Sequence, residues 1–421
     1  MGVFKIIKRI FKISCAILAI SLLLYACSNN NENSNSANID IIEEEKATKI
    51  TESVEQDKAL NNEEGILILK DVNLIDGTGE PLRANTYILI EEGKIKAIGT
   101  QAEVKIPSEA IVVDLKGATA LPGFINAHVH QAYNEENLQN WLNAGVTTVR
   151  CLGPGMEEDF IEIRDELNLN LNNAFIVSAT PILKVKNGYG YGNAVVSSPE
   201  DAKSKVLDYI DSGVDIIKFS IEDNLPPGNN CELIHDDVIK SIVDAAHSKN
   251  IKVSVHISST KYLKKAIDAG VDDVAHMVVD NLDTDTINDM INKNIYFEPT
   301  LELWNGVGWG SIAVSNLSKF YKAGGKIAFG TDFAGYTTPF DKEFPITEIK
   351  LMKDAGMSNM DIIVAATKNA AYVCGMDKEI GTVEIGKKAD LLIVDGDPLE
   401  DIYVLNNAKI VIHSGIIIKN D

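Results

Sequence analysis

The 421-residue chain carries 61 Asp and Glu against 39 Lys and Arg, a formal net charge of −22 at pH 7. That balance argues against nucleic acid as a partner and gives an anionic lipid surface no electrostatic hold, although acidity by itself names no substrate. The five cysteines are too few, and too irregularly spaced, to imply a disulfide framework or a thiolate metal site.

At the N-terminus Lys5, Lys8, Arg9 and Lys12 precede an apolar stretch over 13–26. This is the charged region followed by a hydrophobic region of a secretory signal, too short and too closely followed by polar residues to span a membrane. The boundary Leu24-Tyr25-Ala26-Cys27 resembles the lipobox of bacterial lipoproteins, which implies a signal over 1–26, cleavage before Cys27 and a lipid anchor on that cysteine. An uncleaved N-terminal membrane anchor is the alternative. Either reading tethers the rest of the chain to a bacterial membrane, outside the cytoplasm. Residues 27–64 are rich in Asn, Ser and Glu without an apolar period, the composition of a tether.

The next block, 65–121, alternates short β-rich runs at 66–69, 87–90 and 110–113 with turns, and 379–421 does the same at 389–394 and 409–413. Neither block has enough strands for a stable core, so the two are expected to meet in one small β-sandwich. Between them, over 122–378, runs of strand and then helix repeat. Strands are expected near 124–128, 146–150, 175–179, 215–219, 253–256, 273–276, 296–299 and 327–330. Helices are expected over 200–212, after Ser198-Pro199, and over 236–250, where Val238, Ile242, Val243 and Ala246 form one stripe. The fold class is therefore α/β, a (β/α)8 TIM barrel with a small β-sandwich formed by the N- and C-terminal flanks.

Ionisable residues fall where such a barrel does its chemistry. His128 and His130, two apart on a strand, project from one face and can offer two imidazoles to one metal. Lys218, His256, His276 and Asp332 each lie inside or just after a short apolar run, at an expected C-terminal strand end. His235, His247 and His413 fall near a helix start, in a helix and in the terminal β-block, where structural or surface roles suffice. Cys151 and Cys231 read as small buried or loop residues.

From about Ile66 to the C-terminus the chain resembles the amidohydrolase superfamily, within it the imidazolonepropionase-like and prolidase-like hydrolases. The resemblance rests on His128-x-His130, on Gly145-Val146-Thr147-Thr148-Val149-Arg150, on Gly330-Thr331-Asp332 and on Gly386-Lys387-Lys388-Ala389-Asp390-Leu391. It implies two divalent metal ions, with zinc the first expectation and manganese, cobalt or iron also suited. His128, His130 and Asp332 would bind one and His256 and His276 the other. Lys218 would react with carbon dioxide to give a bridging carbamate, since a protonated amine cannot bind a cation and is costly in an apolar strand. A lysine snorkelling from the strand end, or a substrate-binding cation, is the plainer reading of that residue. Water activated between the metals would attack, and Asp332 would carry its proton to the leaving amine.

Two positions depart from the family's pattern. Asn126 and Cys151 stand where many relatives have aspartate, and Asn126, in phase with the histidines, is expected to orient a ligand without adding charge. Tyr133, Tyr189, Tyr191, Trp304 and Tyr336 fall in loops that suit an apolar side-chain pocket, and equally suit packing. The resulting expectation is a hydrolase acting on a C–N bond of a small dipeptide or N-acyl amino acid, with room for a homo-oligomer. Hydrolysis of a cyclic amide, lactone or phosphoester is the alternative chemistry, and solute capture without catalysis the alternative class.

Overall fold

The computed structural model describes residues 65–154, 159–225, 227–334 and 338–420. The signal segment, Cys27, the polar tether and Tyr336 lie outside the described residues. In chain order, β1 (Leu67–Leu74), β2 (Arg83–Glu91), β3 (Lys94–Gly99), β4 (Ile111–Asp114) and β5 (Thr119–Pro122) come first. Strands then alternate with helices: β6 (Phe124–Val129), α1 (Glu135–Asn143), β7 (Val146–Cys151), α2 (Phe160–Asn168), β8 (Phe175–Ser178), α3 (Pro199–Asp211) and β9 (Ile216–Ser220). The alternation continues through α4 (Asp236–His247), β10 (Lys252–His256), α5 (Thr260–Ala269), β11 (Asp273–Ala275), α6 (Thr284–Asn292) and β12 (Tyr296–Glu298). Helices α7 (Leu301–Gly306), α8 (Gly310–Lys322), α9 (Ile346–Asp354), α10 (Asn359–Val364) and α11 (Ala370–Val373) follow, with a π-helical turn over Ala365–Asn369 between the last two. The strands β13 (Leu391–Val394), β14 (Ala408–His413) and β15 (Ile416–Asn420) end the chain.

Local chemistry sets the boundaries. Pro199 opens α3 and the Ser198 hydroxyl accepts the Asp201 amide, satisfying one of the helix's unpaired donors. The stripe Val238, Ile242, Val243 and Ala246 on α4 is buried, but the helix stops short of the expected 250. The Lys249 and Asn250 amides reach back only three residues, to Ala246 and His247, and Asn250 adopts φ 59°, which tightens the last turn and ends it.

The two flanks join in one sheet of order β15-β14-β13-β5-β1-β2-β3, with β4 also paired to β1. The link is β5, which runs parallel to β1 and antiparallel to β13, from Leu391 opposite Pro122 to Val394 opposite Thr119. Alternate residues of both flanks, among them Leu69, Ile88, Ala120, Leu391 and Ile410, form an apolar core separate from that of the central segment.

The central strands are parallel. Strands β6, β7 and β8 pair in that order, as do β9, β10, β11 and β12. Two sets of backbone bonds connect these groups. The Thr180 amide donates to Ile216 and the Asp215 amide to Ser178. Residues 326–329 bond to Phe297 of β12 on one side, while the Ala127 amide of β6 donates to Phe329 on the other. The order of hydrogen-bonded segments thus returns to its start. Residues 327–330, expected as a strand, contribute a single isolated bridge, from Ile327 to Phe297. Part of their backbone bonding goes to the π-helical turn: the Phe329 amide donates to Ala365, and the Asn369 side chain donates to the Ile327 carbonyl. Among the described residues Cys151, Cys231 and Cys374 form no disulfide.

Candidate metal centre

Alternation along β6 carries Asn126 and His128, and His130 just past its end, to one face. Asp332 Oδ1 lies 3.1 Å from Nε2 of both His128 and His130. His276 follows β11, its ring centroid 4.9 Å from His128 and 4.7 Å from His256, the last residue of β10. His128, His276 and Asp332 offer three ligand atoms that all lie within 4.8 Å of one another. This trio mixes the two expected ligand sets. Lys218 sits in the middle of β9, not at its end, because Phe219 and Ser220 continue the pairing with Val255 and His256.

The backbone is shaped to bring these groups together. Asp332 and His276 adopt φ of 62° and 78°, sparsely populated for residues with a side chain. Gly330 has no freedom to carry one: a Cβ there would come within 2.8 Å of the His128 Cβ. Asn126 ties the two strand ends, its Oδ1 accepting the amides of His128 and Thr331 and its Nδ2 donating to the Thr331 hydroxyl. The side chain thus supports the turn that holds Asp332.

Burial dominates the electrostatics. It pushes His128 down to about 3 and His256 and His276 well below the ordinary imidazole value, so these rings are neutral, the form that ligates. Burial also pushes Lys218 down, to about 7, against the pull of Asp273. For Asp332 burial acts upward, yet His128 and His130 outweigh it and hold the carboxyl well below its usual range. Lys218 Nζ and His256 Nε2 are both buried without a hydrogen-bond partner. Orphaned polar atoms in a protein interior are rare and costly, and their clustering here fits a donor set that closes on cations.

Beneath the histidines lies a network that the sequence did not reveal. Arg150, fully buried on β7, spans Asp273 with two bonds of 3.0 and 3.1 Å, donates to the Ala127 and Val373 carbonyls, and bonds to Glu298. Glu298 in turn presents Oε2 to His128 Nδ1 at 3.6 Å. A carboxylate ending the apolar run Tyr296-Phe297-Glu298 was a visible signal, but nothing in the sequence pairs it with Arg150, 148 positions away. Glu348 was likewise missed; it accepts the Leu301 and Glu302 amides at the start of α7.

Of the loop aromatics, the structure brings Tyr189 and Trp304 to the centre. Tyr189 stacks on His256 at 4.3 Å, and Trp304 meets His276 edge-on at 5.8 Å with Trp309 stacked behind it. Tyr133 instead bonds through its hydroxyl to Ser178, and Tyr191 faces solvent. His247 ends α4 and pairs with Asp272, His235 precedes that helix, and His413 lies in β14 beside Asp390.

A parallel-stranded α/β core with histidines, a lysine and an aspartate gathered at one end of its strands defines a class of metal-dependent hydrolase, and the comparisons agree. The amidohydrolase family matches residues 119–416, and the chain belongs to that family. Ochratoxinase of Aspergillus niger is 25% identical over 84% of this chain and 86% of its own length. An imidazolonepropionase of Thermoanaerobacter pseudethanolicus is 25% identical over 78% of this chain and 89% of its own. Among solved structures, a Xaa-Pro dipeptidase with methionine bound in its active site matches with a TM-score of 0.74 at 25% identity, covering 85% of this chain and 100% of that one. The protein is thus a hydrolase of the family whose members act on carbon–nitrogen bonds.

Proposed function

We propose that this protein is a two-metal amidohydrolase that cleaves the C–N bond of a dipeptide or N-acyl amino acid. The observation that carries the reading is the convergence of the His128, His276 and Asp332 ligand atoms within 4.8 Å, beside partnerless His256 Nε2 and Lys218 Nζ. His128, His130 and Asp332 would hold one ion, and His256 and His276 the other. Zinc suits mixed imidazole and oxygen donors, as do manganese, cobalt and iron. Lys218, as a carbamate formed when its nitrogen bonds to the carbon of carbon dioxide and releases a proton, would supply an anionic ligand to the pair. The ions supply Lewis-acid polarisation of the scissile carbonyl and activation of water.

The remaining work falls to the chain. Asp332 takes the proton of the attacking water and returns it to the leaving nitrogen, with Asn126 holding its turn in place. Tyr189 is placed to wall the substrate's side chain, and its apolar face suits a hydrophobic residue, while Trp304, fully buried against Trp309, backs His276 instead. The dipeptide reading draws on the likeness to a Xaa-Pro dipeptidase. The returning order of parallel segments supports a (β/α)8 barrel over 122–378, while 65–121 and 379–421 share one sheet with its own apolar core, which in this proposal folds over that core as the small sandwich. Export and a lipid anchor at Cys27 complete the proposal and rest on the N-terminal sequence alone.

The test is amine release from a panel of dipeptides and N-acyl amino acids by protein loaded with divalent metal and bicarbonate. Wild type is expected to turn over, and Asp332→Asn to lose about 10²–10⁴-fold in kcat, the usual range for a general acid–base group. Two bound metals with no release across the panel would sink the substrate class.

A further inference from the structure

We propose that Glu298 is a positioning residue: clamped by Arg150, its carboxylate accepts the Nδ1–H of His128 and thereby turns the Nε2 lone pair of that ring toward Asp332 and the metal. The inference rests on the metal centre proposed above.

The geometry comes from two orphans that face each other. His128 Nδ1 and Glu298 Oε2 are both buried without a hydrogen-bond partner, 3.6 Å apart, on side chains that are 1% and 0% exposed. The other oxygen of Glu298 is fixed by Arg150. Arg150 is itself fixed by Asp273 and by the carbonyl of Ala127, the residue just before His128. On the far side of the ring, His128 Nε2 lies 3.1 Å from Asp332 Oδ1. A neutral imidazole has one proton for these two carboxylates. Placed on Nε2, it would bond Asp332 and leave a bare Nδ1 lone pair against Glu298, two buried acceptors with nothing between them. Placed on Nδ1, it bonds Glu298 and leaves Nε2 and Asp332 as two acceptors that a shared cation satisfies together. Only the second arrangement closes both faces, and it makes Glu298 the carboxylate that sets the ligand's tautomer.

Glu298→Gln isolates this role. Arg150 must meet the amide oxygen, so the amide NH2 faces His128 Nδ1, turns that nitrogen into an acceptor and moves the proton to Nε2. Nitrogen-15 NMR of histidine-labelled, zinc-loaded protein, with His128 assigned through His128→Gln, reads directly which ring nitrogen carries the proton. The expected result is Nδ1–H in wild type and in Glu298→Asp, and Nε2–H in Glu298→Gln. Competition with a chelator is expected to show one metal bound about 10–100-fold more weakly by Glu298→Gln, with partial recovery in Glu298→Asp. An Nε2–H tautomer in wild type, or wild-type metal affinity in Glu298→Gln, would overturn the proposal. The wild-type measurement decides the question even if the glutamine variant fails to fold. Wild type that binds no divalent metal would overturn the metal-centre reading instead, and with it the cation that this arrangement requires.

Discussion

Two buried histidines present Nδ1 to buried carboxylates, one in each part of the molecule. In the flank sheet His413 lies 3.0 Å from Asp390, whose Oδ1 also accepts the Ser414 amide. Among the central strands His128 lies 3.6 Å from Glu298. Around the first pair the side chains are aliphatic, Leu391, Ile393 and Ile412 among them, and Asp390 secures the ends of two strands. Around the second, further polar groups crowd in on strands β9 and β10 and past β11, and several of their atoms have no partner. A histidine beside a carboxylate therefore marks nothing by itself. A site is marked where several buried donors converge with too few acceptors among themselves, at one end of the strands.

The largest effect that would sharpen this contrast comes from the charge cluster beneath His128. Arg150→Met leaves Asp273 and Glu298 facing each other in the interior without their cation. Breaking a buried ion pair in this way costs about 3–5 kcal/mol, and equilibrium denaturation of the metal-free protein should register a loss of that order. A midpoint equal to wild type would mean that the network adds nothing to stability, and the support it lends to Glu298 would fall with it.

The flank pair should respond in stability alone. Asp390→Asn weakens the contact with His413 and the charge-assisted bond from Ser414, a loss of about 1.5–3 kcal/mol on the scale of hydrogen bonds to charged groups. Metal content and kcat should stay at wild-type values. If metal content fell as well, the distinction between a structural and a functional pair would be wrong.

How far this contrast was legible in the sequence depends on the range of the signal. The period of two in β6 and the apolar runs ending near His256 and His276 are local, and they placed strands and candidate ligands close to where the structure has them. The eighth strand was misjudged because its amides and carbonyls divide between two neighbouring strands and a π-helical turn that no apolar period announces. The joining of the flanks followed from a strand count, but β5 as the link between them did not, since its partner β13 lies far along the chain. Arg150, Asp273 and Glu298 were visible only as charges in apolar runs. What they do depends on partners more than a hundred positions away, and one sequence holds no record of that pairing.

The smallest effect concerns a buried carboxylate in the first turn of α7 that no sequence motif marked. Glu302 accepts the Asp341 amide through Oε1, while Oε2 is buried without a partner, and burial pushes the group up to about 8. Its folded state thus keeps a proton that the unfolded chain, near the ordinary 4.5, gives up. The sign follows: stability is greatest below about pH 4.5 and falls as pH rises toward 8, where the folded group also ionises. Glu348, also pushed up to about 8 by burial, acts in the same direction and window. Glu302→Gln keeps an acceptor for Asp341 and removes one of these two contributions, so its stability relative to wild type should rise between pH 5 and 8, a difference in which the opposing contribution of the buried neutral histidines cancels. A difference that stays constant across that range would show that Glu302 is already ionised in the folded protein.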